Sequence, residues 1–148
     1  MSVSWSVFPI IPEALEWLQE FDIPIPEGDS RWATLDDLLV AIEPLNQIVH
    51  RKDYNTEEDF PSIALIVGKL DNGVFAQIHG IIYPERFGFW FEGSGNQGRT
   101  MLTILKNLSS MCGAQVIFSG TGENPQPLII SPDIDIEQAL VTWWLRKS

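Results

Sequence analysis

A chain of 148 residues is of single-domain length and can bury about 70% of its unfolded surface without metals or cross-links. Its lone cysteine, Cys112, excludes an internal disulfide and leaves a cysteine-based metal site without partners. The formal net charge of −11 disfavours nucleic acid and accelerates encounter with a basic protein surface.

That charge is unevenly placed. Residues 1–60 hold thirteen acidic and three basic side chains, net −10, whereas residues 61–148 hold seven and six, net −1. Residues 1–9 carry no positive charge and no long apolar core, so no secretory signal is expected. No run approaches the ~20 apolar residues that cross a bilayer. The expectation is a cytoplasmic protein with no membrane partner.

Residues 12–22 read as a first helix. Pro12 suits an opening turn, Glu13 and Glu16 suit its positive end, and Ala14, Leu15, Trp17, Leu18 and Phe21 form the apolar stripe. The Ile23-Pro24-Ile25-Pro26-Glu27-Gly28-Asp29 run is non-helical, because its prolines lack donors and hold their neighbours extended. Thr34 followed by Asp37 resembles a capping box. Leu35, Leu38, Leu39 and Ile42 continue at helical spacing to Pro44, where the second helix kinks or ends. Residues 50–60 are strongly polar with no apolar period, so the stretch reads as a loop, and loops this long in compact domains commonly bind something or are disordered.

Residues 63–70 and 74–82 are apolar and rich in β-branched side chains, and Asp71-Asn72-Gly73 between them signals a hairpin. After Tyr83-Pro84-Glu85, residues 86–92 set Phe87, Phe89 and Phe91 on one face and Arg86, Gly88, Trp90 and Glu92 on the other, a period that no helix has. The aromatic face of this meander needs a cover. Met101, Ile104, Leu105, Leu108 and Met111 predict a helix over 97–112 stopped by Gly113. Residues 115–119 and 127–131 read as two further strands that pair with each other across a loop at 120–125. A last helix starts near Asp135, with Gln138 at the capping-box position, and ends at Arg146 and Lys147. Ile136, Ala139, Leu140, Trp143 and Trp144 line it. Two adjacent tryptophans are too wide for one narrow stripe, which makes Trp143 or Trp144 a candidate homodimer contact. The expected class is one α+β domain spanning residues 1–148. It has an antiparallel meander of about five strands, two N-terminal helices, one crossover helix and a C-terminal helix.

The catalytic inventory is thin. Residues 93–98 match G-x-G-x-x-G between a strand and a helix, but the preceding strand closes an antiparallel meander, Glu92 borders the turn, and no Lys follows Gly98. The competing enzyme or nucleotide-binding reading uses Gly95, Asn96, Gly98 and Arg99 to hold a phosphate. A flexible turn with Asn96 as N-cap is the preferred reading. His50 and His79 lack metal-ligand spacing, and the Ser119 run resembles a nucleophile elbow only loosely. No catalytic residue, metal or cofactor is therefore expected.

The order helix, helix, three-strand meander, helix, two strands, helix resembles the acidic type III secretion chaperones. The match runs through residues 12–22, 63–92, 97–112, 115–131 and 135–147, and departs at the inserted residues 23–61. The small acidic α+β build also resembles bacterial immunity proteins that block basic nuclease toxins, through the charge of residues 1–60 and the polar stretch with Asp53, Glu57, Glu58 and Asp59. Both resemblances imply a non-enzymatic binder. The first expectation is an immunity protein whose Glu57, Glu58 and Asp59, rimmed by Asp53, Tyr54, Glu27, Asp29 and Trp32, engage Lys and Arg of a basic toxin. A chaperone for a secreted effector is the alternative.

Overall fold

A strand turns alternate side chains to opposite faces of its sheet, and burial along this chain follows that rule. The structure, a computed structural model, describes residues 3–55, 60–68, 76–93, 97–119 and 127–144. β1 (Val3–Pro9) buries Trp5 and Val7 and exposes Ser4 and Ser6. β2 (Val49–Tyr54), β3 (Ser62–Val67), β4 (Ala76–Ile82) and β5 (Phe87–Gly93) follow. As expected, Phe87, Phe89 and Phe91 are buried while Trp90 and Glu92 face the other way. β6 (Gln115–Ser119) and β7 (Leu128–Ile130) pair with each other.

The strands form one sheet in the order β2-β3-β4-β5-β1-β6-β7, with every neighbouring pair antiparallel. The class is thus α+β as expected, with seven strands rather than about five. Two strands were not expected. β1 lies at the centre of the sheet, between β5 and β6, and its Ser-Trp-Ser-Val alternation carried a two-residue period too short to stand out. β2 replaces the first half of the loop expected over 50–60. Residues 50–54 are all exposed, so this edge strand has no apolar row to betray it. The Asp71-Asn72-Gly73 turn lies outside the described residues, although the β3–β4 pairing it was expected to produce is present.

α2 (Leu35–Ile42), α3 (Gly98–Cys112) and α4 (Ile136–Ala139) cover the inner face. Leu38, Ala41 and Ile42 meet Met101, Leu102, Ile104, Leu105 and Leu108 over Trp5, Leu65, Ile78 and Phe91 in one core. Burying each of the larger aliphatic and aromatic side chains among them contributes roughly 1.5–3 kcal/mol. Met111, expected on the same stripe, is 38% exposed at the end of α3. After α4 the chain widens into a π-helical turn, Leu140–Trp144, that carries Trp143 into the core at 6% exposure. Of the two tryptophans considered for contact with a second copy, Trp143 therefore points inward. The side chain of Trp144 and the expected Arg146-Lys147 end lie outside the described residues.

The caps of α2 and α4 follow the sequence. Thr34 Oγ1 accepts from the Asp37 amide at 3.1 Å, and Asp37 accepts from the Thr34 amide at 3.0 Å. Asp135 accepts from the Gln138 amide at 3.2 Å. At Pro44 the second helix tightens into a 3-10 turn, Glu43–Leu45, and stops at Asn46 in the left-handed region. Asp37 also takes a 2.7 Å ion pair from Arg31 and the 3.5 Å thiol contact of buried Cys112. The Arg31 hydrogen bond holds the Asp37 carboxyl well below the usual carboxylate range. Burial first, and then the charge of Asp37, push the Cys112 thiol up to about 11.

Asp37→Ala is accordingly expected to cost about 1–2 kcal/mol at neutral pH in urea unfolding, as for other lost caps. The folded-state pKa of Asp37 lies below its unfolded value. Its contribution is therefore complete above about pH 4 and is lost as acid protonates the folded carboxylate, so wild type and Asp37→Asn should converge in stability below that pH. A constant difference down to pH 2 would contradict this.

Candidate functional site

The outer face of the sheet is only partly covered. α1 (Pro12–Glu20) lies across its β1–β6 end, where Phe8 and Phe118 point away from the core. The Trp17 ring centre lies 5.8 Å from that of Phe8 and 4.7 Å from that of Phe118, and Phe21 stands edge-on to Trp17 at 5.7 Å. Ala14 and Leu18, four residues apart on α1, are buried outside the main core cluster. This packing explains why Trp17 and Phe21 belong to one stripe of α1. It also leaves a groove of about 890 Å³ beside the helix, walled by Phe8, Ile11, Trp17, Trp32 and Phe118, with Glu13 and Arg86 among its lining residues.

Trp32 reaches the groove from the loop that connects α1 to α2. That loop is tied down: Arg31 N donates to Cys112 O at 2.9 Å, Ser30 Oγ donates to Ala114 O at 2.5 Å, and Ile10 N donates to Ser30 Oγ at 3.0 Å. The Arg86 guanidinium sits 4.7 Å from the Trp32 ring centre and 5.2 Å from that of Tyr83. Tyr83 in turn meets Phe60 edge-on at 5.2 Å. A row of rings and one guanidinium therefore runs from Phe60 to Trp32 along one end of the sheet and opens into the groove.

Carboxylates are exposed on α1 and on the loop after it, and Glu13 among them lines the groove. Glu13, Glu16 and Glu20 recur on α1 at spacings of three and four residues, and Glu27 and Asp29 follow on the loop. All five are exposed, and among the described residues none of them pairs with a basic side chain.

The structure divides the residues expected to bind a partner. Trp32, Glu27 and Asp29 lie on the α1–α2 loop, with Trp32 in the groove itself. Tyr54 closes β2 opposite Ser62, at the same end of the sheet but on its far edge, with Lys52 Nζ 5.2 Å from its ring centre. Asp53 is engaged by Arg51 on its own strand at 3.1 Å. Glu57, Glu58 and Asp59 lie outside the described residues. Sequence reasoning missed Phe8, Phe118, Tyr83 and Arg86. The available signal was an aromatic residue on the outward row of a strand, which needs the strand's register before it can be read.

Gly95 and Asn96 of the glycine-rich turn also lie outside the described residues. Gln97, at the cap position of α3, makes no side-chain capping bond. Arg99, the cation that a phosphate there would need, is held in a two-point pair by Glu137 of α4. Among the described residues no group of three or more His, Cys, Asp or Glu could hold a metal ion, and no helix is long and apolar enough to cross a membrane. No family model matches the chain, and neither the curated proteins nor the solved structures include a significant match to it.

Proposed function

We propose that the protein is a non-enzymatic acidic binding domain, an immunity protein that neutralises a basic toxin, and that it docks the toxin at the aromatic groove beside α1. The observation that carries this reading is the pairing of that 890 Å³ aromatic groove, with Glu13 in its lining, with further exposed carboxylates on α1 and its following loop that have no basic partner among the described residues. Tightly bound protein partners place an apolar or aromatic anchor in a desolvated pocket and surround it with charge complementarity. Trp17, Phe8 and Phe118 supply the pocket, while Glu13, Glu16 and Glu20 supply a field that attracts Lys and Arg. A toxin acting on phosphate-bearing substrates needs such cations, and carboxylates laid over them block access to the substrate.

The product of the gene beside this one is the partner to test. In surface-binding kinetics with that protein, Glu13→Lys, Glu16→Lys and Glu20→Lys combined should slow association about tenfold at low salt, and much less at high salt. Trp17→Ala should weaken affinity about thirtyfold, mainly through dissociation. Unchanged kinetics in both variants, with thermal melts showing them folded, would remove the groove from the interface. A neighbouring product that is a secreted effector rather than a toxin domain would favour the chaperone reading of the same surface.

A further inference from the structure

The outer face carries a second concavity at its opposite edge, across β2, β3 and β4. The register sets two rows of outward side chains there: His50, Ile66, Gln77 and Glu92 in one, and Lys52, Ala64, His79 and Trp90 in the other. Ala64 is the smallest member and stands between Lys52 and His79, whose strands are about 10 Å apart across the intervening one. The result is a depression of about 310 Å³, with Ala64 and Ile66 beneath and His50, Lys52, Tyr54, Gln77 and His79 around it.

The chemistry of this lining is the reverse of the rest of the chain. Among the described residues no carboxylate lines it, although acids outnumber bases 20 to 9 in the sequence. Among the described residues the Lys52 ammonium meets only the Tyr54 ring, and the His50 side chain has no hydrogen bond or ion pair. Arg51, also at the rim, spends its charge on Asp53. The far wall is held rigidly. His79 stacks on Trp90 at 5.7 Å and 16°, with Nε2 3.3 Å from Glu92 Oε2 and 3.2 Å from Gln77 Nε2. Trp90 Nε1 donates to the other Glu92 oxygen at 3.1 Å. Glu92 therefore serves as an anchor behind the imidazole, accepting from Nε2 and fixing the plane of the ring.

We propose that this depression is a binding site for a small oxyanion carried on an apolar or aromatic group, either an aryl carboxylate or an aryl phosphate monoester. Lys52 and His50 meet the oxyanion from β2, while the apolar part rests on Ala64, Ile66 and the Tyr54 ring, with the His79 imidazole as the far wall. The overall negative charge does not forbid this. Repulsion from carboxylates on the α1 side is screened over about 8 Å at physiological salt, whereas the ammonium makes direct contact.

The test is an NMR titration of the labelled full chain with four probes: benzoate, phenyl phosphate, inorganic phosphate and benzylamine. Either of the first two should give saturable shifts at His50, Ala64, Gln77 and His79, and the tighter of them identifies the oxyanion. Benzylamine, with the same ring and opposite charge, should give none, and inorganic phosphate should bind at least fivefold more weakly than the preferred probe. Lys52→Ala, on an exposed edge strand, should weaken binding at least fivefold, and Ala64→Leu, which fills the depression, should abolish it. The proposal is overturned by the absence of saturable shifts up to about 10 mM, where a 1 mM site is nearly full. It is equally overturned by inorganic phosphate or benzylamine binding as well as the aryl anions, or by binding that survives Ala64→Leu in a folded protein.

Discussion

Gly113→Ala is expected to destabilise the protein by about 3–4 kcal/mol, near a 10 °C fall in melting temperature for a domain of this size. Gly113 ends α3 at φ 82° and ψ 175°, a region that side-chain-bearing residues essentially do not enter. A Cβ there would also overlap the carbonyl oxygen of Asp29 and press on the Ser30 Cα at 2.9 Å. Neither neighbour can yield cheaply, because the loop is held by the Arg31–Cys112, Ser30–Ala114 and Ile10–Ser30 hydrogen bonds. Relief means detaching the loop that carries Trp32, so the groove should open along with the loss of stability. Urea unfolding measures the first effect and Trp32 accessibility to a fluorescence quencher the second. A cost under 1 kcal/mol would show that the loop is not anchored against α3.

Leu105→Ala should cost about 3–4 kcal/mol, while Met111→Ala on the same helix should change stability by less than about 1 kcal/mol. Leu105 is fully buried where α3 meets the sheet, and truncating it leaves a cavity that the surrounding rings cannot collapse to fill. Met111 is 38% exposed and leaves no enclosed space when shortened. Both substitutions improve helix propensity slightly, so the difference between them isolates burial. Equal effects in denaturant unfolding would mean that α3 contributes to stability through its own helicity rather than through the core.

Much of this architecture was legible because it is written in local chemistry. The Phe87, Phe89, Phe91 alternation, the Thr34–Asp37 box, the Asp135 cap and the glycine after Cys112 each act within a few residues. Their outcome does not depend on what packs from afar. Edge strand β2 was illegible for the complementary reason. Every residue from His50 to Tyr54 is exposed, and its backbone is recruited by β3 rather than by any pattern of its own. Trp143 was legible too, four residues after buried Ala139 on the apolar side of the last helix, whereas the π-helical widening of that turn had no local signal.

An acidic α+β domain, its antiparallel meander, the crossover helix and the start of most helices can therefore be read along the chain. These follow from periodicity, capping and composition, which are properties of neighbours along the chain. The place of β1 between β5 and β6 is set by packing across the sheet, and it turns Phe8 and Phe118 to the same outer face and lets α1 lay Trp17 upon them. The same packing brings His50, Lys52 and His79 to one concavity around Ala64. Both sites join residues from strands distant in sequence, and the register of backbone hydrogen bonds, which no single strand encodes, is what sets them side by side.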